Sequence, residues 1–482
     1  MLLLLPLGLL FAFIMTFPPF SACAIQQAMP RLFAKCMHPD LCLCASQIAR
    51  ATVFEYERKR EMDLQFRRAF RQFARSLRRT GDLLRQRGLQ RRDVVTIFFR
   101  WLFLRGAFNR GYVLTSGLYF VVNAHLSAPQ NVILGTVMSA TLVLTDIPTG
   151  VWADALGRKR PLVIGHLLMA AGMVMTGVVT AFPLLVVTQV LWGLGWAFLI
   201  GADVAWITDE LAQPQRIACV LTAGTSFGLV GGATGMVAFG MLGWATSLAR
   251  AMVVSGVGMA LLGLFVAVQF TERTFMPTRE KRWHVSLSVV RLVISLLRRD
   301  HEILLVCVAT MLLNAASMAA WLFPRQLIHL GFPSDPVLWY TAVGICSLAA
   351  GFIALRLVQA RIDGVGVARR IYTLACFIGV FGLLVLASAP DALIGGAGVL
   401  LVSGITVNVT RTVSVIWVNE RTTSEVRATV HSLLDQAEAL GEICGGFILA
   451  VIAGAAGLSM TLLTSAALMV FTGAMVALWR AD

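Results

Sequence analysis

A chain of 482 residues that is 58% hydrophobic and only 13% charged lacks the polar surface that a soluble fold of its size requires. Its formal net charge of +15 is gathered in an N-terminal stretch and in alternate loops, which is a pattern of membrane topology rather than of nucleic-acid binding. It contains no nucleotide-binding glycine loop, zinc-ligand pair or nucleophile signature, so neither an enzyme nor a cofactor is expected.

Residues 1–57 form an extension with an almost wholly apolar segment at 2–17. Ala22-Cys23-Ala24 resembles a small-residue cleavage site, but the positively charged start of a signal peptide is missing. Three readings stay open: an extra span, a cleaved signal, or a later start at Met62. Cys36, His38, Cys42 and Cys44 follow no zinc spacing, and no metal is expected.

Residues 58–100 are strongly basic. Leu64, Phe66, Phe70, Phe73 and Leu77 recur at near-helical spacing among Arg67, Arg68, Arg71, Arg75, Arg78 and Arg79. This predicts an amphipathic helix lying on an anionic cytoplasmic leaflet. An arginine-rich arm for nucleic acid is the alternative, and direct continuity with a span favours the membrane.

Twelve apolar runs follow, at 101–124, 131–151, 161–179, 184–207, 217–242, 251–270, 302–323, 337–357, 371–388, 393–418, 428–453 and 460–478. Each is long enough to cross a bilayer. Arg158, Lys159, Arg160, Arg216, Arg361, Arg369, Arg370, Arg421 and Arg427 fall on one side, together with the cations of 273–299; the other side carries only Arg250 and Arg325. Positive-inside therefore predicts cytoplasmic ends for the twelve-span body, in the plasma or inner membrane. A linker at 271–300 divides a bundle at 101–270 from one at 301–482. Trp206, Asp209 and Arg216 return 211 positions later as Trp417, Glu420 and Arg427 (206 to 417, 209 to 420, 216 to 427). Asp154-x-x-Gly157 returns as Asp363-x-x-Gly366.

Charges within spans cost about 2.5–3.5 kcal/mol at the bilayer centre on insertion scales and so mark function or a partner. Arg105 lies near a span end, where a long side chain snorkels. Arg110 and Asp146 fall at similar depth and are expected to meet, either as a structural ion pair or as one that opens when Asp146 takes a proton. Asp203 lies two turns before Asp209. Glu438 and Glu442 are one turn apart on one helix face, in the same half as Arg411 and Asp435. Asp146, Asp203, Glu438 and Glu442 are the candidates for proton coupling, and Arg110 and Arg411 the candidates for ion pairing.

The loop Gly150-Val-Trp-Ala-Asp154-Ala-Leu-Gly157-Arg158-Lys159-Arg160 resembles, at every signature position, the loop between helices 2 and 3 of the major facilitator superfamily. A generic basic turn is the plain alternative. The resemblance covers the body from about Trp101 to Leu478, and within the superfamily it is similar to the twelve-span drug/proton antiporters. It implies an all-α polytopic membrane protein of the major facilitator fold, with two six-helix bundles related by pseudo-twofold symmetry. It also implies that Asp154, Arg158 and Asp209, with Gly150 and Gly157, form a conformational latch. Gly224, Gly228 and Gly232 match the antiporter glycine motif of span five, while Leu229 stands where that motif has proline and Ala233 where it has its last glycine. The plain reading of these glycines is close helix packing.

The function expected is proton-coupled export of a small amphiphilic compound by a monomer, with protons, the small-molecule substrate and the lipid bilayer as partners and no nucleic acid. The alternatives are a proton symporter importing a metabolite and a non-transporting membrane scaffold.

Overall fold

A computed structural model describes residues 89–211, 213–272, 300–359, 361, 365–422 and 427–479. The expectations for 1–57, for the basic helix before residue 89, for 273–299 and for Asp363 lie outside the described residues, as does the side chain of Asp154. Within this range the chain is all-helical: α1 Leu89–Val122, α2 Ala128–Leu156, α3 Lys159–Val178, α4 Phe182–Leu199, α5 Ala202–Leu211, α6 Pro214–Ala245, α7 Leu248–Gln269, α8 His301–Ser317, α9 Phe323–Leu330, α10 Pro336–Gln359, α11 Val365–Ser388, α12 Ala392–Val399, α13 Val407–Arg421, α14 Arg427–Ala455 and α15 Gly457–Leu478.

Eleven helical stretches among the described residues are long and apolar enough to cross a membrane. α1 is not one of them, because Arg100, Arg105, Asn109 and Arg110 interrupt its apolar run. Three crossings are broken. Gly201, at φ +77°, separates α4 from α5 in a backbone conformation that glycine adopts without strain. A 3-10 turn, Met318–Leu322, leads into Pro324 near the start of α9, where the missing N–H costs no helix bond. A π-helical segment, Leu400–Thr406, joins α12 to α13, and Thr406 uses its hydroxyl on the Ala375 carbonyl.

Turn chemistry sets the reversals. Ser127 and Gln130 form a reciprocal capping box at the start of α2, and Gly157 ends that helix at φ +99°. Asp300 and Asp391 each accept two backbone N–H groups at the starts of α8 and α12.

α1 packs on α6 and α7, and α3 packs between α4 and α7. In the second half α11 packs on α15, and α8 on α14. The halves meet through α2 against α14 and α6 against α10. The glycines of α6 explain the closest of these approaches. A Cβ on Gly231 would overlap the Phe103 carbonyl, and one on Gly235 the Ala107 carbonyl. Without side chains there, α6 lies directly on the α1 backbone.

The turns carrying Arg158, Lys159, Arg160 and Arg361 define a basic end of the bundle, and those around Leu126, Gly331 and Ala456 a plain end. Contacts between the halves gather toward the plain end. Gly135 faces Trp321, Gly446 faces Thr136, Gly240 faces Thr341, and Arg325 donates to the Leu126 carbonyl. Nearer the basic end, α1, α4, α5 and α6 line an open cavity of about 500 Å³ that Leu348 of α10 also borders.

Candidate functional site

That cavity is walled by Phe98, Leu102, Trp196, Leu221 and Leu229, with Arg105, Asn109, Arg110 and Asp203 as its polar groups. The Arg105 guanidinium donates to Asp203 at 2.9 Å, and its face lies 4.3 Å from the Trp101 ring centre. The other Asp203 oxygen accepts the Val204 N–H at 2.8 Å. Arg105 is thus paired and stacked rather than snorkelling, and Asp203 is a charged partner as well as a cap for α5.

The expected meeting of Arg110 with Asp146 does not occur. Arg110 faces the cavity, and no described residue forms an ion pair or hydrogen bond with it. The two helices were placed at matching depth from the sequence, but depth leaves rotation about the helix axis free. The rotation is set by Gly232, which leaves room for the Arg110 stem. Asp146 is half-buried on α2, where its backbone carbonyl accepts from the Thr149 hydroxyl.

In the second half the acids form a ladder along α14. Glu442 accepts from the Ser139 hydroxyl of α2 at 2.5 Å. Glu438 lies 3.5 Å from Arg411, and Asp435 lies 3.9 Å from the same guanidinium. Arg411 is 65% exposed, so it stands in open space between α13 and α14 rather than locked in a core. Positions 435, 438 and 442 share one helix face. They run from the open basic side to the seam, where Glu442 reaches the other half.

At the basic end, Arg158 lies 3.7 Å from Asp209, joining the α2–α3 turn to the end of α5. Two acids missed in the sequence complete this region. Glu272 accepts the Lys159 N–H at 2.7 Å and its carboxylate packs close beside Gly157, whose positive φ is what favours glycine at this turn. Glu210 accepts from the Thr271 hydroxyl, and Trp206 donates to the Thr271 carbonyl at 2.8 Å. Gly150 has open space where its Cβ would be and is not needed for packing.

The second half has a parallel arrangement centred on Glu302. This carboxylate is buried and lies 2.7 Å from Arg421 and 3.7 Å from Arg369, and it accepts from the Trp417 indole at 3.1 Å. In each half the tryptophan of the 206/417 pair ties its helix to the linker side of the bundle. Glu302 reads in the sequence as the ordinary acidic start of a span; only its three partners distinguish it.

Among α6 glycines, Gly224 faces Leu102, Gly228 lies beside the Leu102 carbonyl, and Gly232 faces Arg110. His166, buried in α3, accepts from the Trp101 indole at 3.0 Å and lies 2.6 Å from the Leu162 carbonyl, so its ring is fully engaged in packing. No cluster with metal-binding composition occurs among the described residues.

Residues 101–445 match the profile of the Major Facilitator Superfamily. The chain belongs to that superfamily. It is a multi-pass membrane protein of a family of secondary transporters, which move small molecules across a membrane and are not enzymes. Solved structures of similar fold include the nucleoside transporter NupG, with TM-score 0.67, 14% identity, 81% of this chain and 100% of that one covered. A bacterial homologue of the human lysosomal transporter Spinster, inward-facing and unoccupied, aligns with TM-score 0.61, 14% identity and coverage of 81% and 97%. The peptide transporter POT in complex with sulfate aligns with TM-score 0.59, 13% identity and coverage of 81% and 98%. At such identities the likeness is one of fold. No curated protein sequence matches this facilitator.

Proposed function

We propose that this facilitator is a proton-coupled symporter that imports a small polar metabolite. The observation that carries the reading is the Ser139–Glu442 hydrogen bond, which joins the two halves at the inner end of the carboxyl ladder. Asp435 and Glu438 share one guanidinium, Arg411, and Glu442 adds a third carboxyl one turn further along α14. A membrane interior disfavours the surplus negative charge, and each bound proton reduces it by one. Because the innermost acid is also a contact between the halves, loading it bears on whether the seam stays closed.

The reading takes the body as twelve crossings in two six-helix bundles with pseudo-twofold kinship, α1 being the first crossing despite its arginines. It places the basic end in the cytoplasm, against an anionic leaflet, by the positive-inside tendency. The arrangement of contacts is then an inward-facing one, closed at the plain end. Asp154, Arg158 and Asp209 act as the latch of the basic end, and the chain works as a monomer. One proton moving through 100 mV supplies about 2.3 kcal/mol, enough for roughly a fifty-fold solute gradient.

Proton-driven export of an amphiphilic drug is the second reading. The apolar cavity wall formed by Phe98, Leu102, Trp196 and Leu229 favours it. Against it, the glycine motif of α6 lacks its proline, and two of its glycines, Gly224 and Gly232, are accounted for by contact with Leu102 and Arg110 of α1. The test is solute flux in proteoliposomes with a pH gradient imposed in either direction. Symport expects accumulation on the alkaline side; accumulation on the acidic side supports export. Flux indifferent to the gradient in both directions removes proton coupling altogether.

A further inference from the structure

Among the described residues, the cavity holds one charge, that of Arg110, with no counter-charge. Arg105 is neutralised by Asp203 at 2.9 Å. Arg110, one helical turn and a little more along α1, lines the same cavity and forms no ion pair or hydrogen bond with any described residue. A guanidinium stays protonated at any physiological pH, so its charge is permanent. It stands about 18 Å from the C-terminal end of α1, well inside the bilayer span, where a lone charge is expensive. A second and independent observation lies beside it: the side-chain oxygen of Asn109, in the same cavity, is buried without a hydrogen-bond partner among the described residues. Buried polar atoms are nearly always satisfied, and an orphan next to an unpaired cation indicates groups supplied by something else.

The walls leave space for that guest. Gly228 borders the cavity with no side chain, and the Arg110 stem lies over Gly232. A cavity of about 500 Å³ falls in the range of small-molecule sites.

We infer that Arg110 and Asn109 form the binding site for an oxyanion group, carboxylate or phosphate, of the transported solute. The inference rests on the transporter reading proposed above and takes this cavity as part of the solute's path. The planar guanidinium offers paired N–H donors matched to two oxygens of such a group. The Asn109 oxygen takes a hydrogen bond from a hydroxyl or amine on the same solute. Charge balance agrees: the anion offsets Arg110 in one half while protons offset the surplus carboxylates in the other.

The test uses the purified full chain in lipid nanodiscs and thermal unfolding as the measure of binding, since a bound solute stabilises the folded state. The phosphate arm compares glycerol phosphate with glycerol; the carboxylate arm compares succinate with its diamide. At least one anion is expected to raise the unfolding temperature while its neutral counterpart does not. Arg110→Gln is expected to weaken that binding by about tenfold or more, the loss of a charge-assisted hydrogen bond. Arg110→Lys retains part of it. Asn109→Asp places a carboxylate beside the intact guanidinium and is expected to abolish anion binding, which keeps the test usable should Arg110→Gln fold poorly. Absence of a shift with every anion, or equal shifts in the wild type and Arg110→Gln, overturns the assignment. Neutral solutes carried with protons, with Arg110→Gln indifferent, remove the anion site and leave the symport reading standing; anion binding without proton-coupled flux does the reverse.

Discussion

Arg105 and Asp203 stand 98 positions apart in the chain and meet at 2.9 Å on the cavity wall, tying α1 to the start of α5. Each has a purpose beyond charge: Arg105 covers the Trp101 ring, and Asp203 caps the helix that follows the Gly201 break.

Asp203→Asn and Arg105→Gln are each expected to lower stability by about 2–3 kcal/mol, less than for a fully buried pair because both side chains keep some exposure. The exchange Arg105→Asp with Asp203→Arg is expected to recover part of the loss. Thermal unfolding of the three proteins in detergent measures it, and strict additivity of the single effects in a double neutral variant counts against a direct interaction.

Glu442→Gln preserves an oxygen that accepts from Ser139, so the seam contact survives while the titrating group is lost. Solute exchange without a gradient is expected to continue, and accumulation driven by a pH gradient to disappear. Glu442→Ala removes the contact as well and is expected to impair both. Proteoliposome uptake and counterflow separate the two modes; gradient-driven accumulation by Glu442→Gln at the wild-type level argues against Glu442 as a proton site.

Removal of Glu302, the buried acid with three partners, is expected to be strongly destabilising. Glu302→Gln leaves Arg369 and Arg421 facing one another without a shared anion and deprives a buried site of its charge. A loss of about 3–5 kcal/mol is expected, seen as a drop in folded yield and unfolding temperature. Glu420→Gln, exposed near the same end, serves as the comparison and is expected to stay within about 0.5 kcal/mol of wild type.

Gly231→Val drives a branched side chain into the Phe103 backbone, which cannot yield as a flexible side chain would. Little folded protein is expected by size-exclusion chromatography. Gly150→Ala meets open space and is expected to fold normally. Transport loss in a well-folded Gly150→Ala would identify a motion rather than a packing requirement at that turn.

The sequence by itself determined the class of this protein. Long apolar runs have few stable destinations other than a bilayer, alternating basic loops follow from the cost of moving cations across it, and the 150–160 loop with the 206/417 repeat led to the family. Those are properties of order along the chain, and order is what a sequence records. Which charges meet was decided by tertiary structure. Depth along a helix is legible at 1.5 Å per residue, but the rotation of each helix is set by its packing partners. Matching depth therefore pointed to Arg110 with Asp146, whereas the glycine contact of α6 on α1 and the break at Gly201 give Arg105 to Asp203 and leave Arg110 facing the cavity. Glu272 and Glu302 stayed hidden for the same reason: each looks like an ordinary charge at a membrane edge until Lys159 in one case, and Arg369, Arg421 and Trp417 in the other, close around it.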